Sequence, residues 1–189
     1  MAVVLGTSAG FVTVAPTADP TGTAGGNFDN GAVVQKDTSP ATAAKIIEVG
    51  WYAGLATQAA DFEVGLYDAS GAVVPGEAGV LLFVSGANAK GTTEGWKVVT
   101  VDWTISASTV YWLGVHCADT STATPIDYTT TGGPGFDLVV PKTSLTDPFG
   151  GGAIFDADGV VALYAVWEAA AAGGQPPRSM HQFRQRRAA

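Results

Sequence analysis

Two histidines, one cysteine and a scatter of carboxylates are the groups in this 189-residue chain that could move a proton or attack a carbonyl. A Ser, His and Asp relay would have to use His116 or His181. His116 lies inside an apolar alternating stretch, His181 lies in a basic terminal stretch, and no serine has the surroundings of a nucleophile elbow. His116 therefore reads as a histidine accommodated within a sheet. Paired carboxylates can cleave a glycoside, and Asp61, Glu63 and Asp102 fall on strand-like segments from which two could converge. The ordinary reading of such acids is the solvated side of an amphipathic sheet. Asp156, Asp158 and Gly159 begin like a calcium loop, but Val160 and Val161 follow where oxygen donors are needed, so a hairpin turn explains them. The expectation is a non-enzymatic protein with no metal and no cofactor. The lone Cys117 excludes an intrachain disulfide and reads as a buried apolar thiol.

Aromatic residues offer a better case for binding. Trp112, Tyr52, Tyr67 and Tyr164 each sit opposite the cleaner apolar face of their own strand. Flat rings with polar neighbours stack on sugars, and they equally serve a second buried face or a subunit contact, so both readings stay open. The other candidate is the tail QPPRSMHQFRQRRAA, where Arg178, Phe183, Arg184, Arg186 and Arg187 could attach the chain to an acidic protein groove or to nucleic acid, or form a basic terminus with no role.

The elements that position these residues are strands. From Val99, apolar residues take every second place (Val99, Val101, Trp103, Ile105), a turn is expected at Ser106–Ser108, and Tyr111, Leu113, Val115 and Cys117 then share a face. This predicts a hairpin whose second strand, apolar on nearly both sides, is central in its sheet. Ile47, Val49 and Trp51 are expected on one face, as are Phe62, Val64 and Leu66, and Val161, Leu163, Ala165 and Trp167. Ala32–Gln35 reads as an edge strand, and Val80–Val84 as a continuous apolar run of strand length. Residues 120–152, broken by Pro125, Pro134, Pro141 and Pro148, read as a long surface or binding excursion holding two short strands.

Twenty-five glycines and ten prolines with only 14% charged residues fit a turn-rich all-β domain. The predicted fold is an antiparallel two-sheet β-sandwich of jelly-roll type over residues 32–168, with an extended arm at 1–31 and a linker with basic tail at 169–189. Charge is divided along the chain. Residues 1–168 hold five lysines against seventeen acids, a balance of −12, and the remainder carries +4, giving the −8 of the whole. Such a body repels nucleic acid. The first twenty residues lack a basic start, so no secretory signal is expected, and no apolar run approaches the roughly 20 residues of a membrane span.

The segments IIEVGWYAG (46–54), DFEVGLYDASGAVVPG (61–76), GWKVVTVDWTISASTVYWLGVH (95–116) and VVALYAVWE (160–168) together resemble the jelly-roll or carbohydrate-binding-like β-sandwich domains of tailed-bacteriophage virion proteins. These include fibre, tail-tip and capsid-decoration proteins. The resemblance spans roughly residues 32–168 and brings no catalytic residues with it. It implies a structural virion component, made in the host cytoplasm, with other virion proteins as partners and a homo-oligomeric state. The alternative it implies is a carbohydrate-binding module that recognises a host-surface glycan.

Overall fold

A computed structural model describes residues 24–27, 30–53, 59–72, 78–118, 125–129, 136–139, 142–150 and 160–169. Among them there is no helix. In chain order the strands are β1 (Ala24–Asn27), β2 (Gly31–Thr38), β3 (Ala43–Ala53), β4 (Asp61–Tyr67), β5 (Leu81–Val84), β6 (Asn88–Ala89), β7 (Gly95–Thr104), β8 (Val110–Cys117), β9 (Pro125–Thr129), β10 (Phe136–Val139), β11 (Val160–Val161) and β12 (Leu163–Ala169). They form two antiparallel sheets of six strands each. In the first, β3 lies between β12 and β7, with β9 joining its end and carrying β1 and β11. In the second the order is β10, β2, β8, β4, β5, with β6 also on β4. β8 is central as the sequence predicts, flanked by β2 and β4 along its length.

One hydrophobic core is shared by the two sheets. Val49, Trp51, Val99, Val101, Trp103, Ile105, Val161, Leu163, Ala165 and Trp167 come from the first, and Val33, Phe62, Val64, Leu66, Leu113, Val115 and Cys117 from the second. These are the alternating sets read from the sequence, with one correction in β3. A bulge between Ile46 and Glu48 shifts the register, so Ile46 is fully buried and Ile47 is left half-buried.

The predicted hairpin does not form. β7 pairs with β3 in one sheet and β8 with β2 and β4 in the other, so the turn at Ser106–Ser108 is a crossing between sheets. The reason is burial: the same core needs the inner faces of both strands, and each serves it from an opposite side. A second crossing, from β2 to β3 through Ser39 and Pro40, runs beside it. Ser39 ties the two together, donating from its hydroxyl to the Ser106 carbonyl (2.6 Å) and from its amide to the Thr109 carbonyl (2.8 Å), while its hydroxyl accepts the Thr109 amide (2.9 Å). Nor is β2 an edge strand, because β10 pairs with it on the side away from β8.

Candidate functional site

β8 carries a second set of residues on the face turned away from the main core. Tyr111, Leu113, Val115 and Cys117 face inward, so Trp112, Gly114 and His116 face outward. That outer face is covered. Residues 142–150, part of the stretch read as a surface excursion, lie back across it, and Leu145 and Phe149 join Ala32, Val34, Tyr67, Ala78 and Trp112 in a second, smaller core. Phe149 meets the Tyr67 ring edge-on, with centroids 5.4 Å apart. The strap needs polar anchors because its backbone would otherwise be buried unpaired.

His116 supplies the first anchor. The residue is 3% exposed, and Nε2 sits 2.7 Å from the Lys142 carbonyl oxygen, so Nε2 bears the proton and donates. Glu63, next to it across the β4–β8 ladder, accepts the Leu145 amide, and Lys142 donates from Nζ to the Phe149 carbonyl with its ammonium 4.4 Å from the Phe149 ring centre. Asp147 closes the far end by accepting the Leu81 amide at 3.2 Å. Burial lowers the His116 pKa below its usual 6.5, against the opposing pull of the Lys142 carbonyl and of Glu63, whose Oε1 is 3.8 Å from Nδ1. Burial also lowers the Lys142 pKa.

Beside this cluster is an open depression of about 230 Å³ lined by Asp61, Phe62, Glu63, His116, Thr143 and Ser144. A serine relay through His116 needs one ring nitrogen on the serine and the other on a carboxylate. Here the second nitrogen is on a main-chain carbonyl, and Glu63 at 3.8 Å is outside hydrogen-bond range of the first. The cluster is built to hold a strap. Of the carboxylates, Asp61 and Glu63 lie two residues apart on one face of β4 and both line this depression, while Asp102 is on β7 in the other sheet, paired with Lys45 at 3.0 Å, and does not join them.

The four aromatic residues that could form either a stacking surface or a second buried face are all buried: Tyr67 at 0%, Tyr164 at 3%, Trp112 at 4% and Tyr52 at 6%. Trp112 and Tyr67 are covered by the strap. Tyr52 and Tyr164 lie on the outer face of the first sheet, where Trp96 packs edge-on against both, at 5.5 and 5.2 Å. Tyr164 crosses directly over Gly50, where a Cβ would stand 2.2 Å from its ring, so only glycine fits beneath it. The two hydroxyls donate outward, Tyr52 to Glu94 and Tyr164 to Glu48, each at 2.9 Å. Burial and Glu48 together push the Tyr164 pKa up.

Trp96 is the half-buried ring of this group, and sequence reading passed over it. The signal was present in its parity, since it alternates with the inward Val99 and Val101. Cys117 is a fully buried thiol, as expected. Arg178, Phe183, Arg184, Arg186 and Arg187, together with His181 and the turn at Asp156, Asp158 and Gly159, lie outside the described residues. No group of His, Cys, Asp and Glu that could hold a metal ion occurs among the described residues, and no described helix is long and apolar enough to cross a membrane. No family model matches the chain, and no curated protein or solved structure does either.

Proposed function

We propose that this chain is a non-enzymatic structural component of a tailed-bacteriophage virion, a jelly-roll-like β-sandwich displayed on the particle as a capsid-decoration, fibre or tail accessory protein. Its partners are other virion proteins and further copies of itself, and its terminal segments attach it. The observation that carries the reading is how the chain uses its reactive and aromatic groups. His116, Glu63 and Lys142 are committed to pinning a strap, and Trp112 and Tyr67 to packing under it, an arrangement that supports a structural role. Co-sedimentation with purified particles tests it, using chains lacking residues 1–26 or 175–189. Loss of retention in either deletion supports the reading; a chain that never co-sediments removes it, and two deletions that both stay attached remove attachment through the terminal segments.

A carbohydrate-binding module is the second reading, favoured by one feature: the half-buried Trp96 flanked by the carboxylates of Glu48 and Glu94 on the outer face of the first sheet. Rings with adjacent acceptors suit a pyranose. Retention on an array of host-surface polysaccharides that disappears in Trp96→Ala would favour it.

A further inference from the structure

We infer that the open edge of β7 is the docking site for the chain's own basic C-terminal tail, which adds to the first sheet as an antiparallel strand. β7 is ten residues long and pairs with β3 on one side. On its other side no described strand pairs with it, and its backbone groups are directed there in a definite pattern. The Tyr52 amide donates to the Ala162 carbonyl, so Tyr52 and, two residues before it, Gly50 aim their backbone groups at the β12 side of β3. Their partners across the ladder, Trp96 and Val98, and Thr100 opposite Glu48, must then aim their N–H and C=O groups away from β3, toward the open edge. A long edge with three such residues is a template for another strand. The charged residues that could blunt it are turned back into the chain: Lys97 donates to Thr93, and Asp102 pairs with Lys45.

The chemistry of this edge selects the occupant. Among the described residues, the outer face of the first sheet carries Glu48, Glu94, Asp102 and Glu168 with Lys45 as their cation, and Val98 is 48% exposed among them. Pairing β7 with β7 of a second copy would set two such acidic faces side by side. The tail is the opposite in charge, and its alternation suits the edge. In an extended chain Arg184 and Arg186 share one side and Phe183 takes the other. With the arginines over the acidic face, Phe183 turns to the flank where Phe83 of β5 stacks on Trp103 of β7, centroids 5.8 Å apart.

The connection also fits. β12 ends at Ala169 opposite Ala43, beside the Lys45–Thr104 pair, so the chain leaves at the Thr104 end of β7. A tail entering there runs antiparallel to β7. The twelve residues from Ala169 to His181 reach up to about 40 Å, ample for the three strand spacings, roughly 14 Å, that would separate β12 from a strand on the open edge. So short a tether gives an effective concentration on the order of millimolar, favouring the chain's own tail over a neighbour's. The inference does not depend on the virion reading, and a tail stored this way leaves the N-terminal segment to make the attachment.

Amide hydrogen exchange read by NMR tests it, comparing the full chain with one ending at Gly174. The amides of Trp96, Val98 and Thr100 should exchange at least about tenfold more slowly in the full chain, independent of protein concentration, while Leu113 and Val115 in β8 exchange alike in both and report an intact fold. Adding a synthetic peptide of residues 175–189 to the shortened chain should restore the slow exchange, and Arg184→Glu with Arg186→Glu in the full chain should abolish it. Equal exchange at the three amides in both chains overturns the inference. So does slow exchange that survives the truncation and grows with concentration, the mark of β7 pairing between copies. Slow exchange that needs the tail yet grows with concentration also overturns it, because a neighbour's tail is then the occupant.

Discussion

Trp112→Ala separates a packing role from a ligand role at one residue. The indole is 4% exposed and sits between the sheet and the strap, in the cluster with Ala32, Val34, Tyr67, Leu145 and Phe149, and the Lys36 ammonium lies 5.5 Å from its ring centre. A buried tryptophan removes about 150–250 Å² from water. At about 25 cal/mol per Å² that is roughly 4–6 kcal/mol as an upper bound, because the unfolded chain already hides part of the ring. Measured Trp→Ala costs of about 3–5 kcal/mol agree. Its indole N–H has no hydrogen-bond partner among the described residues, so removing it strands no partner and adds nothing to the loss. The expected destabilisation is therefore about 3–4 kcal/mol in urea denaturation at pH 7, a large share of the stability of a domain this size. Phe149→Ala should be strongly non-additive with it, because each variant already loosens the strap that the other residue holds. A loss below about 0.5 kcal/mol, the scale of an ordinary surface substitution, would refute the buried reading and return Trp112 to the surface.

Three further outcomes are expected. Because burial depresses the folded-state pKa of His116 below the unfolded 6.5, its neutral form is the one the fold prefers, and that contribution is complete above pH 6.5 and declines as the pH drops below it. Stability from urea curves at pH 7.5 and 5.5 should thus fall more steeply in the native chain than in His116→Gln, and parallel curves would mean that His116 is not the group responsible. Gly50→Ala must displace the Tyr164 ring and its bond to Glu48, at about 1–3 kcal/mol for overpacking, whereas Tyr164→Phe should cost only about 1 kcal/mol; both are read as shifts in the urea midpoint. Cys117, fully buried, should react with a thiol reagent only as the chain unfolds, so its modification rate should track urea concentration through the unfolding transition.

Much of the architecture was legible because alternation survives the fold: Phe62, Val64 and Leu66, or Leu163, Ala165 and Trp167, bury the faces their spacing indicates. Alternation does not say which neighbour a strand pairs with. A hairpin and a crossing between sheets impose the same period on Val99–Ile105 and Tyr111–Cys117, and the crossing, set by burial from both sides of the core, is tied by Ser39, whose bonds to Ser106 and Thr109 span about seventy residues of sequence. Local reading also cannot locate a bulge, and the one between Ile46 and Glu48 exchanged the expected Ile47 for Ile46 in the core.

The candidate site was harder for the same reason. A strand apolar on both faces, as β8 is around Trp112, has two physical solutions: a second core made within the chain, or a surface offered to something else. What decides between them is the path of a segment more than thirty residues away, Lys142–Gly150, which carries only Leu145 and Phe149 as large apolar residues amid Pro, Gly and polar ones. Its hydrophobic content is too slight to announce a core element, and its affinity for the sheet depends on partners that sequence spacing does not join: His116 for the Lys142 carbonyl, Glu63 for the Leu145 amide, Asp147 for the Leu81 amide. His116 and Glu63, the histidine and acid weighed for a relay and a carboxylate pair, are thus the residues whose strap covers the tryptophan and buries it.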